Sequence, residues 1–298
     1  MGKIFIFSDL HLYPFPQYAT LTSGGINSRL ADIGGVLSQI IHQANLSKDN
    51  IVLFCGDFFH THKVDTESLS MAGEILSSTS VPIYFIGVNH DQSDRNALFH
   101  STKALKGLVN FVGQGMKFET PVGVTVGGVN YCQNRNELSG RIKNLGKPDI
   151  LMLHTGIAGA AMGPEFIVQQ PDDLLTVQEL YGTAGMIYSG HFHQPQIFVG
   201  DTAEVPSGPL TKRIKIGETV LIPGAPIQHS LGDEGSVRGY WTYETGKLTL
   251  TFHVLNAPKL LRVELNDVLD GKISKTDIGG NYFTVVESSA PNAEQIAE

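Results

Sequence analysis

The sequence has few cysteines and no long apolar run. Cys55 and Cys132 are the only two cysteines among 298 residues, too few for a disulfide framework, and neither is a strong candidate nucleophile. No stretch approaches the roughly 18 apolar residues that a membrane span requires. The N-terminus also lacks a basic region followed by an apolar core and a small-residue cleavage site. We therefore expect a cytoplasmic protein without a membrane partner.

Basic residues are also scarce. The chain has 21 Lys and Arg against 29 Asp and Glu, which gives a formal net charge of -8. This balance argues against binding to nucleic acid through a broad basic surface. Two bound divalent ions would, however, add four positive charges where a phosphate must bind, so a phosphoester substrate is not excluded. The eleven histidines, several in short polar clusters after apolar runs, favour metal binding.

Apolar runs that end in polar side chains recur along the chain. Residues 3–7 are rich in Ile and Phe, as is typical of a strand buried on both faces of a parallel sheet. Open α/β sheets bind ligands at the carboxyl ends of their strands, so we expect these side chains to share one edge. The runs lead to Asp9-Leu10-His11, to Gly56-Asp57, to Asn89-His90-Asp91, to His154 and to Gly190-His191-Phe192-His193.

Helical periodicity separates these runs. From Leu30 to Ala44, apolar residues recur at helical spacing, which predicts a helix with one apolar face. Further helices are predicted at residues 66–79, 134–145 and about 172–181. Residues 122–131 alternate with glycines as in a hairpin. Beyond 193 only short β-like runs are evident. A composition change near residue 256 predicts a main domain at 1–256 and a short unit at 257–298, either an appendage or a truncated capping domain.

Seven potential metal ligands follow the apolar runs. Taken alone, His154 is more often a hydrogen-bonded core histidine, and Asn89-His90-Asp91 is more often a turn. Together, carboxylate, amide and imidazole donors suit manganese, iron or zinc better than a soft metal. Seven ligands suffice for two ions if one carboxylate bridges them, and Asp57, on a tight Gly-Asp turn, is the natural bridge. The set consists of Asp9, His11, Asp57, Asn89, His154, His191 and His193.

In this order, the five motifs resemble those of the calcineurin-like metallophosphoesterases, over roughly residues 3–193. The resemblance implies an α/β fold, a two-sheet β-sandwich flanked by helices, here with a small β-rich C-terminal appendage. It implies that Asp9, His11, Asp57 and His193 hold one metal and that Asp57, Asn89, His154 and His191 hold the other. It also implies that His90 contacts the phosphate and protonates the leaving oxygen, with Asp91 orienting it. The family usually reads Gly-Asn-His, whereas here Val88 separates Gly87 from Asn89.

Two finer features resemble the SbcD-like DNA repair nucleases. The motif Gly-Asp-x-Phe-His of these nucleases is similar to Gly56-Asp57-Phe58-Phe59-His60. Their last histidine helps present the DNA phosphate to the metals, so the resemblance implies the same role for His60. Residues 222–240 are similar to the segment that follows the last metal motif in these nucleases, especially those of bacteriophages. This resemblance implies a DNA exo- or endonuclease subunit in DNA repair, recombination or phage DNA metabolism.

The resemblance also implies cofactors and partners. Two divalent ions are expected, manganese first, with iron, zinc or magnesium as alternatives. DNA, an SbcC-like ATPase and a second copy of the chain are the expected partners, and a phage-encoded chain would work in the host cytoplasm. No helical tail for docking the ATPase is evident in the sequence. A small-molecule or nucleotide phosphodiesterase or phosphatase is the main alternative, and a non-catalytic scaffold is a third.

Overall fold

The computed structural model describes residues 2–87, 101–162, 168, 174–274 and 278–287. In chain order, the first half forms β1 (Ile4–Phe7), α1 (Ser28–Ala44), β2 (Ile51–Phe54), α2 (Thr66–Ser77), β3 (Ile83–Phe85), β4 (Asn110–Phe111), β5 (Gln114–Glu119), β6 (Thr125–Val129), α3 (Arg135–Leu145) and β7 (Ile150–His154). The second half forms α4 (Val177–Leu180), β8 (Met186–Gly190), β9 (Gln196–Val199), β10 (Thr202–Glu204), β11 (Leu210–Arg213), β12 (Thr219–Ile222), β13 (Gly239–Glu244), β14 (Thr249–Val254), β15 (Leu260–Glu264), α5 (Leu265–Leu269) and β16 (Tyr282–Val286).

The strands form two mixed sheets of seven strands each. The first has the order β11-β14-β13-β1-β2-β3-β4 and the second the order β10-β9-β12-β8-β7-β6-β5. In the first sheet, β1 to β4 run parallel and β13 joins them antiparallel beside β1. In the second, β6, β7, β8 and β12 run parallel, with β5 and β9 antiparallel at their flanks. The parallel strands therefore carry their carboxyl ends to one edge of each sheet.

Alternation along β1 explains how the layers pack. Ile4 and Ile6 belong to a core cluster that the two sheets share, with Met152 and Tyr188 of the second sheet. Phe5 and Phe7 lie on the other face of the strand, in a cluster built with α1 and α2. A third cluster packs α3 against the outer face of the second sheet. Because side chains alternate along a strand, each parallel strand is buried on both faces, and the fold is a sandwich with helices on both outer sides.

Side-chain caps define where the main helices begin. Asn27 accepts a hydrogen bond from the backbone N–H of Leu30 at 3.1 Å, and Asp65 and Asn134 cap α2 and α3 in the same way. Each cap satisfies one of the backbone N–H groups that have no partner within the helix. The apolar face of α1 then lies against the first sheet, as the spacing of its apolar residues predicted.

The predicted fold class is confirmed, with two local corrections. The helix expected at 172–181 begins only at Val177, because Thr176 and Glu179 form a capping box there. The hairpin expected within 122–131 instead pairs β5 with β6, so its first strand precedes the glycine-rich stretch. No helix in the described part of the chain is long and apolar enough to cross a membrane.

The last described residues form a small unit beside the main sandwich. β15 and β16 pair in parallel as a separate two-stranded sheet, and α5 follows β15 directly. The backbone N–H of Leu260 donates to Oε1 of buried Gln228 at 2.7 Å, which fastens β15 to the preceding segment. The β-rich appendage is thus present, whereas the division of the chain at residue 256 stays a prediction.

Candidate metal centre

The polar residues after β1, β2 and β8 leave the regular strand conformation abruptly. Six non-glycine residues of the described chain have positive φ, and four of them belong to the predicted site: Asp9 at 53°, His11 at 47°, Asp57 at 56° and His191 at 98°. Such conformations cost about 1–3 kcal/mol each for residues with a Cβ. The chain holds this strain where the strand ends of the two sheets meet, which is typical of a functional site.

Gly190 allows the two sheets to approach each other at this edge. A Cβ at this position would lie 2.7 Å from Nδ1 of His154 and 3.1 Å from Cβ of Ser8, and would also overlap the carbonyl oxygen of Cys55. These neighbours come from β7 and from the ends of β1 and β2. The glycine of the Gly-His-x-His motif is therefore required by close packing at the site.

Asp9, His11 and His193 form the first group of potential ligands. One ligand atom from each lies within 4.8 Å of the others. The Nε2 atoms of His11 and His193 are 3.1 Å apart. Two imidazole nitrogens bound to one ion at about 2.0–2.1 Å adopt a separation of this size. The group therefore fits the coordination of a single divalent cation.

Asp9, Asp57 and His154 form the second group, which adjoins the first. Oδ2 of Asp57 lies 3.6 Å from Nε2 of His11 and 3.4 Å from Nε2 of His154. The Asp57 carboxylate thus stands between a histidine of each group, which is the place of a bridging ligand. Asp9 also belongs to both groups, a sharing that the sequence motifs did not indicate.

A backbone carbonyl fixes the orientation of His154. Its Nδ1 lies 2.8 Å from the carbonyl oxygen of Cys55. Because a carbonyl only accepts, Nδ1 carries a proton, which leaves Nε2, on the side of Asp57, as the nitrogen that can bind a metal. Metal-ligating histidines are oriented in this way by a bond from their other nitrogen. Burial raises the pKa of the Cys55 thiol well above its ordinary value, so the nearby sulfur is not a thiolate ligand.

Buried negative charge dominates the electrostatics of the centre. Burial raises the pKa of Asp9, and the charge of Asp57 also raises it, against the opposing effect of His154 and His193. Burial lowers the pKa of His154, but the charge and hydrogen bond of Asp57 outweigh it and raise this pKa to about 9. The two carboxylates thus stabilise positive charge between them. A divalent cation supplies that charge, so these residues fit a metal centre.

His191 lies beside the second group without joining it. Its backbone N–H donates to Oδ1 of Asp9 at 3.0 Å, and its ring centroid is 5.4 Å from that of His154. Asn89, His90 and Asp91 lie outside the described residues, so their place stays a prediction. The described strand ends accordingly bring together Asp9, His11, Asp57, His154 and His193, with His191 adjacent.

His60 stands on the opposite side of His11. Their Nδ1 atoms are 3.4 Å apart, so His11 turns Nε2 towards the metal group and Nδ1 towards His60. The rings of half-buried Tyr13 and Phe15 lie 5.2 and 4.8 Å from the His60 ring. The structure therefore places the predicted phosphate-binding histidine at the edge of the centre, within a small aromatic cluster.

Three residues at the centre were not predicted: His229, Asp233 and Arg238. The ring of His229 lies 5.1 Å from that of His11 and 5.3 Å from that of His193. Arg238 donates to the backbone carbonyl of His193. All three fall in the segment at 222–240 that resembles SbcD-like nucleases, but that resemblance gave them no role.

Comparison with solved structures found similar chains. The structure is similar to a metallophosphoesterase from Sphaerobacter thermophilus (13% identity, TM-score 0.40, 93% of this chain and 97% of that chain). It is also similar to a dimetal phosphatase from Danio rerio (9% identity, TM-score 0.46, 81% of this chain and 91% of that chain). A third similar structure is the purple acid phosphatase PPD1 from yellow lupin (13% identity, TM-score 0.45, 85% of this chain and 51% of that chain).

Sequence comparison assigns the family. A search of curated proteins found no significant match. The family model described as calcineurin-like phosphoesterase matches residues 2–195, which is more than half of the chain and includes both ligand groups. The conserved chemistry of that family is the metal-dependent hydrolysis of phosphoesters, and the Asp and His groups imply two divalent ions. The chain belongs to the calcineurin-like phosphoesterase family.

Proposed function

We propose that this chain is a two-metal DNA phosphodiesterase of the SbcD-like type, with manganese as its metal. The observation that carries the proposal is the position of His60. Its imidazole lies 3.4 Å from the imidazole of His11, at the margin of the first ligand group. With Nδ1 turned to His11, Nε2 is the atom that reaches towards a phosphate.

The ligand assignment is part of this proposal. Asp9, His11, Asp57 and His193 hold the first ion, and Asp57, Asn89, His154 and His191 hold the second. When bound, the two ions activate the attacking water and stabilise the oxygens of the phosphoryl group. The close approach of His11 to His193, and the place of Asp57 between His11 and His154, support this division, and Asp9 is near both groups.

The remaining steps fall to residues of the chain itself. His60 binds an oxygen of the phosphate next to the scissile one, a group that a small diester lacks, and so presents the DNA strand to the metal centre. His90 donates a proton to the departing oxygen of the DNA strand, and Asp91 keeps the His90 ring in the orientation for that transfer. Tyr13 and Phe15 offer half-buried aromatic faces beside His60, on which a neighbouring base can stack.

A small phosphoester is the competing substrate, and the charge of the chain favours it. The net charge of -8 is unusual for a protein that holds a polyanion over many phosphates. In the proposed enzyme, the metals and a few local contacts must therefore provide most of the affinity for DNA. A short contact with the strand fits this balance better than a long basic groove.

A substrate screen tests the proposal. The protein is loaded with Mn²⁺ and offered labelled single- and double-stranded DNA, mononucleotide esters and bis-p-nitrophenyl phosphate. We expect cleavage of DNA, and we expect His60→Ala to slow it by roughly 10- to 100-fold, the worth of a hydrogen bond to a charged group. The small diester should be hydrolysed at nearly the parent rate.

His62→Ala is the matched control, because His62 is exposed and only two residues away. It should leave both activities unchanged. Turnover of small esters without any DNA cleavage would overturn the proposal in favour of the small-molecule enzyme. Equal loss on both substrates in His60→Ala would remove the DNA-specific role of His60.

The partners follow from the same proposal. We propose an SbcC-like ATPase and a second copy of the chain as partners in the cytoplasm. Sedimentation of the purified chain alone should show a dimer, and addition of the ATPase should produce a heavier complex with faster DNA cleavage. A monomer whose activity is unaffected by the ATPase would contradict both partnerships.

A further inference from the structure

We propose that residues 228–238, which lie beyond the family match, act as a brace that positions two ligands of the first metal. This brace contacts the backbone of Asp9 through His229 and the backbone of His193 through Arg238. The inference rests on the proposed assignment of Asp9 and His193 as ligands. It adds a function for a part of the chain to which the metal motifs assign none.

His229 provides the first contact. Its Nε2 lies 3.0 Å from the carbonyl oxygen of Asp9, and since that oxygen only accepts, Nε2 carries the proton and donates it. The ring lies beside those of His11 and His193, with centroid distances of 5.1 and 5.3 Å. His229 is outside both groups of mutually close ligand atoms. We therefore assign it a positioning role beside the ligands.

The conformation of Asp9 explains why such support is needed. Asp9 has φ of 53°, a strained value for a residue with a side chain. Its carboxylate is already oriented by Ser8 Oγ at 2.5 Å and by the backbone N–H of His191 at 3.0 Å. The bond from His229 fixes the peptide carbonyl that follows the strained residue. Backbone and carboxylate are then both held before the ion binds.

Arg238 provides the second contact. Its guanidinium donates to the carbonyl of His193 and also pairs with Oδ1 of Asp233 at 2.7 Å, and both charged side chains are buried. Oδ2 of the same Asp233 accepts from the backbone N–H of His229 at 2.8 Å. One carboxylate thus ties together the two contacts of the brace, so a displacement at one is transmitted to the other.

A glycine lets the chain reach this position. Gly224 has φ of 76°, and a Cβ there would lie 2.5 Å from the backbone nitrogen of Pro195 and 2.8 Å from the carbonyl oxygen of His193. The next residue, Ala225, donates its backbone N–H to the His193 carbonyl at 3.0 Å. The segment leaving β12 is therefore packed onto the backbone of the last metal motif before it continues into the brace.

The test separates the hydrogen bond of His229 from the packing of its ring. His229→Phe keeps a ring beside His11 and His193 but has no donor. His229→Gln loses the ring, and its amide nitrogen can still donate to the Asp9 carbonyl. His253→Gln is the control, because His253 stacks on Tyr240 and bonds Thr242 in the first sheet. Each full-length variant is titrated with Mn²⁺ by calorimetry, with far-ultraviolet circular dichroism to confirm folding.

The expected result is a selective loss at one site. His229→Phe should weaken the first Mn²⁺ by about 10- to 100-fold, the usual effect of removing an outer-shell partner, while the second ion binds as before. His229→Gln should retain most of the parent affinity, and His253→Gln all of it. Parent affinity in His229→Phe, or equal losses in His229→Phe and His229→Gln, would overturn the inference.

A second pair of measurements keeps the result interpretable. If His229→Phe does not fold, Arg238→Lys is titrated instead, because it keeps a charge beside Asp233 and loses the guanidinium that contacts His193 and Asp233 together. Asp9→Asn is measured alongside. Loss of Mn²⁺ in Asp9→Asn together with full binding in the brace variants would reject the brace and leave the metal assignment intact. Full binding in Asp9→Asn would reject the assignment itself.

Discussion

Oδ2 of Asp57 lies 3.4 Å from Nε2 of His154, although the two residues belong to different sheets. Asp57 follows β2 of the first sheet, and His154 ends β7 of the second. The distance shows that the metal centre is built across the interface of the sandwich. Changes that alter the fit between the two sheets should therefore alter metal binding as well as stability.

Gly190→Ala tests this dependence. The added Cβ would overlap the carbonyl of Cys55 and approach Nδ1 of His154, so the sheet ends must separate. We expect a loss of about 1–3 kcal/mol in the free energy of unfolding and weaker binding of the second metal. Urea unfolding and Mn²⁺ titration measure the two effects. Gly73→Ala, in α2 with open space around it, should instead be stabilising by roughly 0.5–1 kcal/mol.

Asp57→Asn tests the bridging carboxylate. The substitution keeps the size of the side chain and removes the charge that both groups share. We expect the protein to fold and to lose both ions on dialysis, as measured by plasma mass spectrometry after loading with Mn²⁺. Asp49→Asn, at an exposed position between α1 and β2, is a control for the loss of one negative charge. Two tightly bound ions in Asp57→Asn would contradict the bridge.

His90→Ala tests the proposed proton donor. Loss of a general acid should lower the turnover of DNA by about 10²–10⁴, while the metal content stays at two ions. Hydrolysis of a p-nitrophenyl ester should fall much less, since p-nitrophenolate departs without a proton. Steady-state rates on both substrates, with metal analysis of the same samples, make the comparison. An equal fall on both substrates, or loss of the metals, would count against this role.

Tyr188→Phe tests the core between the sheets at high pH. Tyr188 is fully buried, and its hydroxyl makes no hydrogen bond with any described residue. Burial raises the pKa of Tyr188 well above its ordinary value of 10.0, and the charges of Tyr243 and Cys55 raise it further. The unfolded chain therefore loses this proton above pH 10 while the folded chain keeps it. Stability falls as the pH rises, by at most about 1.4 kcal/mol per pH unit.

Tyr188→Phe should reduce the fall in the free energy of unfolding between pH 10 and 11. At neutral pH its free energy of unfolding should equal or exceed that of the parent, because no hydrogen bond is broken. Urea unfolding at pH 7, 10 and 11 gives the comparison. Tyr13→Phe, at a half-buried site outside this core, controls for the loss of a hydroxyl. An unchanged alkaline slope in Tyr188→Phe would show that this tyrosine is not the group responsible.

The main features of the site were predictable because each is local in sequence. An apolar run followed by Asp-x-His indicates both a buried strand and a ligand at its end. The resemblance of the five motifs, in this order, to the calcineurin-like metallophosphoesterases implied the sandwich. His229 was not predictable in this way. Its hydrogen bond with Asp9 joins residues 220 positions apart. The sequence does not show which distant side chain will donate to the carbonyl of a strained residue.

Similar reasons apply to the fold. The parallel strands were evident from their apolar content, whereas the antiparallel strands β10 and β11 are short and largely exposed, with little apolar content to indicate them. In the described residues, the helix expected at 172–181 covers only Val177–Leu180, where Thr176 and Glu179 form a capping box. Local signals of equal strength are resolved by packing, which the sequence alone does not reveal.

Anomalous diffraction from crystals soaked in Mn²⁺ tests the central claim most directly. The account predicts two peaks about 3.5–4 Å apart, with the Asp57 carboxylate between them. His11 and His193 should lie beside one peak and His154 beside the other. A single peak, or two peaks that do not share Asp57, would contradict the two-metal centre at the meeting of the strand ends.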